Sequence, residues 1–145
     1  MMGEDTNDFW QSHSLKYLEM AFRTDRCEIL AAPDGYGKKT RSCGDSIEIF
    51  FKTRGDTLDT VSYYTNGCMN TLACANTVVF LVEGKSIGEA WEITPETIAD
   101  YLQTLPEHDF HCAEMAVDAL QLALFNLREI QRSPWKKVYQ TRSQV

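Results

Sequence analysis

The chain has 145 residues, 43% hydrophobic and 24% charged, which suits one compact domain with its own core. A net charge of −7 argues against non-specific nucleic-acid binding. The longest aliphatic–aromatic run, Val78-Val79-Phe80-Leu81-Val82, is far too short to span a membrane. A single domain over residues 1–145 is expected, with flexible tails over 1–5 and 133–145.

In chain order, the spacing of Phe9, Leu15, Leu18 and Phe22 predicts a helix from Thr6 to about Arg23, capped by Asp5 or Thr6. Pro33-Asp34-Gly35-Tyr36-Gly37 reads as a turn-rich loop. Asp45–Thr53 alternates, with Ile47, Ile49 and Phe51 on one face and Ser46, Glu48, Phe50 and Lys52 on the other. Arg54-Gly55-Asp56 is a turn, and Leu58–Thr65 is a second strand, rich in β-forming residues. Asn70 to about Glu83 reads as a buried helix with Leu72, Ala75, Val79 and Val82 on one face, stopped by Gly84. Ser86 caps a short helix through Trp91, and Thr94-Pro95 opens another that Leu105-Pro106 closes. The longest helix runs from His111 to about Gln131. Its stripe is Cys112, Met115, Ala116, Ala119, Leu120, Ala123, Leu127 and Ile130. The predicted class is α+β: a small antiparallel sheet of two or three strands against several helices, the last one long.

Charge is uneven along the chain. Between Ser86 and Leu127 there is no Lys or Arg but there are eight acids: Glu89, Glu92, Glu96, Asp100, Glu107, Asp109, Glu114 and Asp118. This stretch is either a solvated helical surface or an electrostatic docking face for a protein partner.

Five cysteines is an odd number, and none forms a C-x-x-C pair, so a disulfide framework or zinc ribbon is not expected. The acidic N-terminal stretch is neither a signal nor a transit peptide, which places the protein in a reducing cytoplasm. Cys74 reads as a packing residue, and Cys27 lacks a ligand context.

The other three cysteines fall at element boundaries: Cys43 in Ser42-Cys43-Gly44-Asp45, Cys68 after Gly67, and Cys112 after His111. They are separated by 25 and 44 residues, so only the fold can gather them. Taken singly, Cys112 is explained by the core, Cys68 by an inward-packing turn, His111 by a helix cap or surface position, and Asp45 by a turn cap. Cys43 is harder to explain by packing. Together, three thiols, the Asp45 carboxylate and the His111 imidazole make a soft-metal donor set if the fold gathers them. Helix N-termini at Cys68 and Cys112, and Lys38, Lys39 and Arg41 before Cys43, favour thiolates. No H-E-x-x-H or comparable motif supports a hydrolytic zinc enzyme.

Four segments occur in order: Cys43-Gly44-Asp45, Gly67-Cys68, Glu83-Gly84-Lys85-Ser86 and His111-Cys112. Jointly, from about residue 14 to residue 131, they resemble the iron–sulfur cluster assembly scaffold family, the IscU type and the N-terminal domain of NifU. The resemblance implies that Cys43, Cys68 and Cys112 gather at one exposed end with Asp45 and His111. It implies persulfide sulfur received from a cysteine desulfurase, with Cys112 as leading acceptor, and iron from a donor. The cluster, 2Fe–2S or 4Fe–4S, is then passed to apo-proteins, with no turnover reaction of the scaffold's own. Asp45 would be the labile ligand, and the same set can hold Zn2+ when no cluster is present. An alternative is a SufU-like zinc sulfurtransferase that accepts persulfide. Those proteins carry an insertion between the second and third cysteines that is not evident here.

Two departures from the family pattern stand out. Leu105-Pro106-Glu107-His108-Asp109 replaces a Leu-Pro-Pro-Val-Lys stretch recognised by an Hsp70 chaperone, so the resemblance does not extend to chaperone recognition. Asp109 thereby replaces a basic residue, while His108 reads as a surface imidazole. The sequence closes soon after the last helix, so the further cluster-binding domains of full NifU are not expected.

Overall fold

A computed structural model describes residues 13–135. In chain order these form α1 (Leu15–Phe22), β1 (Gly35–Thr40), β2 (Ser46–Arg54), β3 (Thr57–Thr65), α2 (Met69–Val82), α3 (Ile87–Trp91), α4 (Pro95–Leu102), a 3-10 turn (Glu107–Asp109) and α5 (Phe110–Arg132). The α+β class, the antiparallel sheet and the long last helix are as expected. The expected tail at 1–5, most of that at 133–145, and the Asp5 or Thr6 cap lie outside the described residues.

The sheet runs β1-β2-β3, all antiparallel, with Gly37 opposite Ile49 and Ile49 opposite Tyr63. Three strands lie within the expected two or three, but Gly35-Tyr36-Gly37, expected as a loop, belongs to β1. Those glycines serve helix packing. A Cβ on Gly37 would lie 2.3 Å from the Ala123 nitrogen and 2.5 Å from the Ala119 oxygen, so only glycine lets α5 rest on the strand.

Ile47, Ile49, Phe51, Val61 and Tyr63 join the core, covered by α2 and by the apolar stripe of α5. All eight residues of the predicted α5 stripe are buried. Each large apolar side chain so buried contributes roughly 1.5–3 kcal/mol against the entropy of ordering. The opposite face of β2 is not simply polar, as Glu48 and Phe50 are 2% and 1% exposed. The Tyr36 hydroxyl donates to Glu48 Oε1 at 2.8 Å, and the Tyr36 ring packs on Phe50.

In α1 the predicted stripe is displaced. Leu15 and Phe22 are exposed, while Tyr17, Met20 and Ala21 are buried, and Ser14 is the cap, accepting from the Tyr17 N–H. The caps of α3 and α4 are as predicted: Ser86 and Thr94 each form a reciprocal capping box. Gly84, at φ +82°, ends the α2 segment. In the acidic stretch Glu89, Glu92, Glu96 and Asp100 are exposed, whereas Asp118 pairs with Lys39 at 3.8 Å.

Candidate metal-binding site

The site forms where the β1–β2 turn, the start of α2 and the start of α5 meet. Cys43 is exposed in the β1–β2 turn. The Arg41 N–H donates to the Asp45 carbonyl and the Gly44 N–H to the Arg41 carbonyl, with Gly44 at φ +98°. That backbone shape explains Cys-Gly-Asp, because glycine adopts it without strain. Asn66 fastens this turn to the Cys68 loop. Its Oδ1 accepts from the Ser46 N–H at 2.9 Å and its Nδ2 donates to the Gly44 carbonyl at 3.3 Å.

Cys68 is the N-cap of α2 and is exposed. Its sulfur lies 3.6 Å from Thr71 Oγ1, and the same hydroxyl lies 3.5 Å from Cys112 Sγ. Gly67 makes room for this: a Cβ there would come within 2.6 Å of the Thr71 side chain. Cys68 and Cys112 are thus brought to one buried hydroxyl.

Cys112 sits in the first turn of α5 and is only 2% exposed, so it lies on the buried stripe rather than at the surface of the exposed end that the resemblance implies. Its pKa is raised rather than lowered. Burial is the largest cause, the Thr71 hydrogen bond works against it, and the nearby Cys68, Asp109 and Asp45 push it further up. Burial outweighs the favourable helix terminus at this thiol. Buried Cys74 likewise has its pKa raised well above the usual thiol range by burial.

His111 Nε2 is 3.6 Å from Cys112 Sγ, and His111 Nδ1 is 3.3 Å from the His108 carbonyl. With Nδ1–H donating to that carbonyl, Nε2 carries the free lone pair. Among the described residues, one compact donor group is present: single donor atoms of Asp109, His111 and Cys112 lie within 4.8 Å of one another. Cys43, Asp45 and Cys68 fall outside that triad, on the neighbouring turn and loop.

Asp109 was missing from the donor set read from the sequence. A carboxylate, an imidazole and a thiol within four residues at the start of the last helix were the available signal. Asn70 and Thr71, which position the donors, carry no sequence mark of that role. Asn70 Nδ2 donates to Asp109 Oδ2 at 2.8 Å, and the Tyr17 hydroxyl donates to Asn70 Oδ1. Burial, with smaller effects from Cys74, Cys68, Asp109 and Cys112, pushes the Tyr17 pKa up to about 12, so it remains a neutral donor. The residues fit a transition metal, since thiolate, imidazole and carboxylate together suit zinc or iron.

This donor chemistry, on a small sheet backed by helices, suits a thiol-based metal site. Over residues 30–133 the chain matches the family described as NifU-like N terminal domain, and it belongs to that family. It is 33% identical over 82 residues to the iron-sulfur cluster assembly scaffold protein IscU 1 of Archaeoglobus fulgidus, covering 57% of this chain and 54% of that one. It is 28% identical over 112 residues to the scaffold protein IscU of Aquifex aeolicus, covering 75% and 71%. To the nitrogen fixation protein NifU of Nostoc sp. it is 32% identical over 91 residues, 61% of this chain and 30% of that one. The chain therefore spans about half the length of the Archaeoglobus relative and less of NifU.

Solved structures share the fold, among them the following two. The N-terminal part of a NifU-like protein from Brucella abortus superposes with a TM-score of 0.64 at 15% identity, covering 83% of this chain and 94% of that one. A protein of Fervidobacterium islandicum, assigned to the SUF system as a cluster assembly scaffold, gives 0.65 at 17% identity, covering 79% and 97%. At such identities the likeness is one of fold. Among the described residues no helix is long and apolar enough to cross a membrane.

Proposed function

We propose that this protein is a scaffold on which an iron–sulfur cluster is built from iron and desulfurase-derived sulfur and then handed to apo-proteins. The observation that carries this reading is the meeting of Cys68 and Cys112 at the Thr71 hydroxyl, at 3.6 and 3.5 Å, with His111 beside them. The names of the IscU relatives support the same activity. Cys43, Asp45, Cys68, His111 and Cys112 hold the cluster, 2Fe–2S or 4Fe–4S, and the same donors take Zn2+ in its absence. Exposed Cys43 and Cys68 on separate loops suit release better than a closed cage does.

Sulfur arrives by persulfide exchange. His111 Nε2, 3.6 Å from Cys112 Sγ, accepts the thiol proton. The resulting thiolate attacks the outer sulfur of the desulfurase persulfide. A new S–S bond forms on Cys112 as the donor's S–S bond breaks, and the donor cysteine leaves as a thiolate that takes the proton. Because Cys112 is buried, this step requires the surrounding loops to open.

The partners are a cysteine desulfurase, an iron donor and apo acceptor proteins, met in a reducing cytoplasm. The test is anaerobic reconstitution with ferrous iron, cysteine and a catalytic desulfurase, followed by transfer to an apo-ferredoxin. A visible cluster that moves to the ferredoxin is expected. Tight zinc, accelerated desulfurase turnover and no cluster would replace the scaffold with a SufU-like sulfurtransferase.

A further inference from the structure

We infer that residues 136–145 fold back as a strap over the outer face of the sheet, setting Val138 and Tyr139 on Tyr36 and Phe50 and Arg142 at Glu48. This goes beyond the scaffold reading and does not depend on it. Helices α2 and α5 pack on the other face, that of Gly37, Ile49 and Tyr63. Yet on the outer face Tyr36, Glu48, Phe50 and Ser62 are all buried. Neighbouring strands bury the flanks of a sheet side chain but leave its tip to water, so burial this deep requires a layer above it.

Part of that layer is the link from α1 to β1. The Glu28 N–H donates to the Tyr63 carbonyl on β3, and the Asp34 N–H to the Phe51 carbonyl beside β1. Residues 29–33 therefore cross β2, and the Ser62 hydroxyl, donating to the Glu28 carbonyl at 2.7 Å, places that crossing on the outer face. The link covers Phe50 and Ser62, which pair in register. Glu48 lies two residues nearer the β1–β2 turn, between Lys38 and Tyr64. A carboxylate so buried stays charged only where cations or several hydrogen bonds hold it; Tyr36 gives one such bond. Ile29-Leu30-Ala31-Ala32-Pro33 brings no cation, and half-exposed Lys38 flanks Glu48 from the edge strand rather than capping it.

The chain beyond α5 fits the remainder. Where α5 crosses β1, Asn126 Oδ1 accepts from the Tyr36 N–H at 2.9 Å, so the helix leaves beside the edge of this face. Ten residues follow Trp135, up to about 33 Å of extended chain. Glu48 is three residues, about 10 Å, along the sheet from the Gly35–Phe51 pair. The segment carries an apolar pair, Val138-Tyr139, and the cations Lys136, Lys137 and Arg142. The other terminus carries Glu4, Asp5 and Asp8, which repel Glu48.

The test is native proteolysis of the full chain, read by mass spectrometry beside a synthetic peptide of residues 133–145. Tryptic cleavage after Arg142 is expected to be at least about tenfold slower in the protein than in the peptide. Glu48→Gln keeps the shape and an acceptor for Tyr36 but removes the charge, and circular dichroism checks its fold. It should speed that cleavage at least about threefold, the worth of a modest ion pair. Arg142→Gln leaves the sheet untouched and should speed chymotryptic cleavage after Tyr139 by a similar factor, which decides the matter if Glu48→Gln does not fold. Cleavage as fast in the protein as in the peptide overturns the strap. So does protection that neither substitution relieves, or protection that fades on dilution, which assigns the cover to a second copy of the chain.

Discussion

Cys68 and Cys112, 44 residues apart in sequence, share one hydroxyl: Thr71 Oγ1 lies 3.6 Å from the first sulfur and 3.5 Å from the second. Thr71 is fully buried, and it reaches both thiols only because residue 67 has no side chain. Gly67-Cys68 is therefore one device, in which the glycine admits the threonine that links the two sulfurs.

Thr71→Val keeps the shape and removes that link. The Thr71 bond opposes the effect of burial on Cys112, so its loss raises the thiol pKa further. Alkylation of Cys112 near neutral pH should slow by a factor of about 2–10, the worth of one ordinary hydrogen bond. Mass-resolved labelling of the Cys112 peptide measures this, and an unchanged rate contradicts the role given to Thr71.

The five thiols should also label in a set order. Cys27, Cys43 and Cys68 are exposed and react first. Cys112, 2% exposed, follows slowly, and Cys74, fully buried with its pKa raised well above the usual range, reacts only on unfolding. Early labelling of Cys74 in the native protein would contradict the packing of α2.

Glycine substitutions separate packing from backbone effects. Gly37→Ala forces a Cβ to 2.3 Å from the Ala123 nitrogen and should destabilise by at least about 1–3 kcal/mol. Gly88→Ala, inside α3, meets only Ser86 Oγ at 3.9 Å and should stabilise by up to about 1 kcal/mol. Denaturant midpoints of the two variants are expected on opposite sides of the unmodified protein.

Alkaline stability follows from the same groups. Burial, the largest cause in each case, raises the pKa of Cys74 and lifts Tyr17 and Tyr63 from about 10 to about 12. The folded state then holds protons that the unfolded chain has already lost. Their contribution is fully present below the ordinary thiol value of about 8.5 and is lost as pH rises from there toward about 12. Denaturant unfolding should show stability falling over that window, with a shallower fall in Cys74→Ala at its lower end. Identical slopes would contradict the assignment to Cys74.

Much of this was legible in the residues, for reasons that differ by element. The α5 stripe was readable because 23 residues give the helical period room to declare itself. Ser86 and Thr94 were readable because capping is local chemistry. In α1 only eight helical residues are described, and the burial of Tyr17 was hidden by its polar hydroxyl, whose partner Asn70 is 53 residues away. β1 was hidden because Gly35 and Gly37 resemble turn residues until α5 is laid across them. At the site, the motif positions were visible but their burial was not. Asp109 looked like a change of charge because only the Asn70 contact shows it held beside His111 and Cys112.

The central claim is that separated thiols act as one cluster site. Its most direct test is anaerobic reconstitution of Cys43→Ser, Cys68→Ser and Cys112→Ser beside the unmodified protein, reading the visible cluster absorption retained after desalting. Each substitution is predicted to lower retention, whereas Cys74→Ser should lower thermal stability and leave retention per folded molecule unchanged. Retention in all three variants equal to that of the unmodified protein would contradict the account.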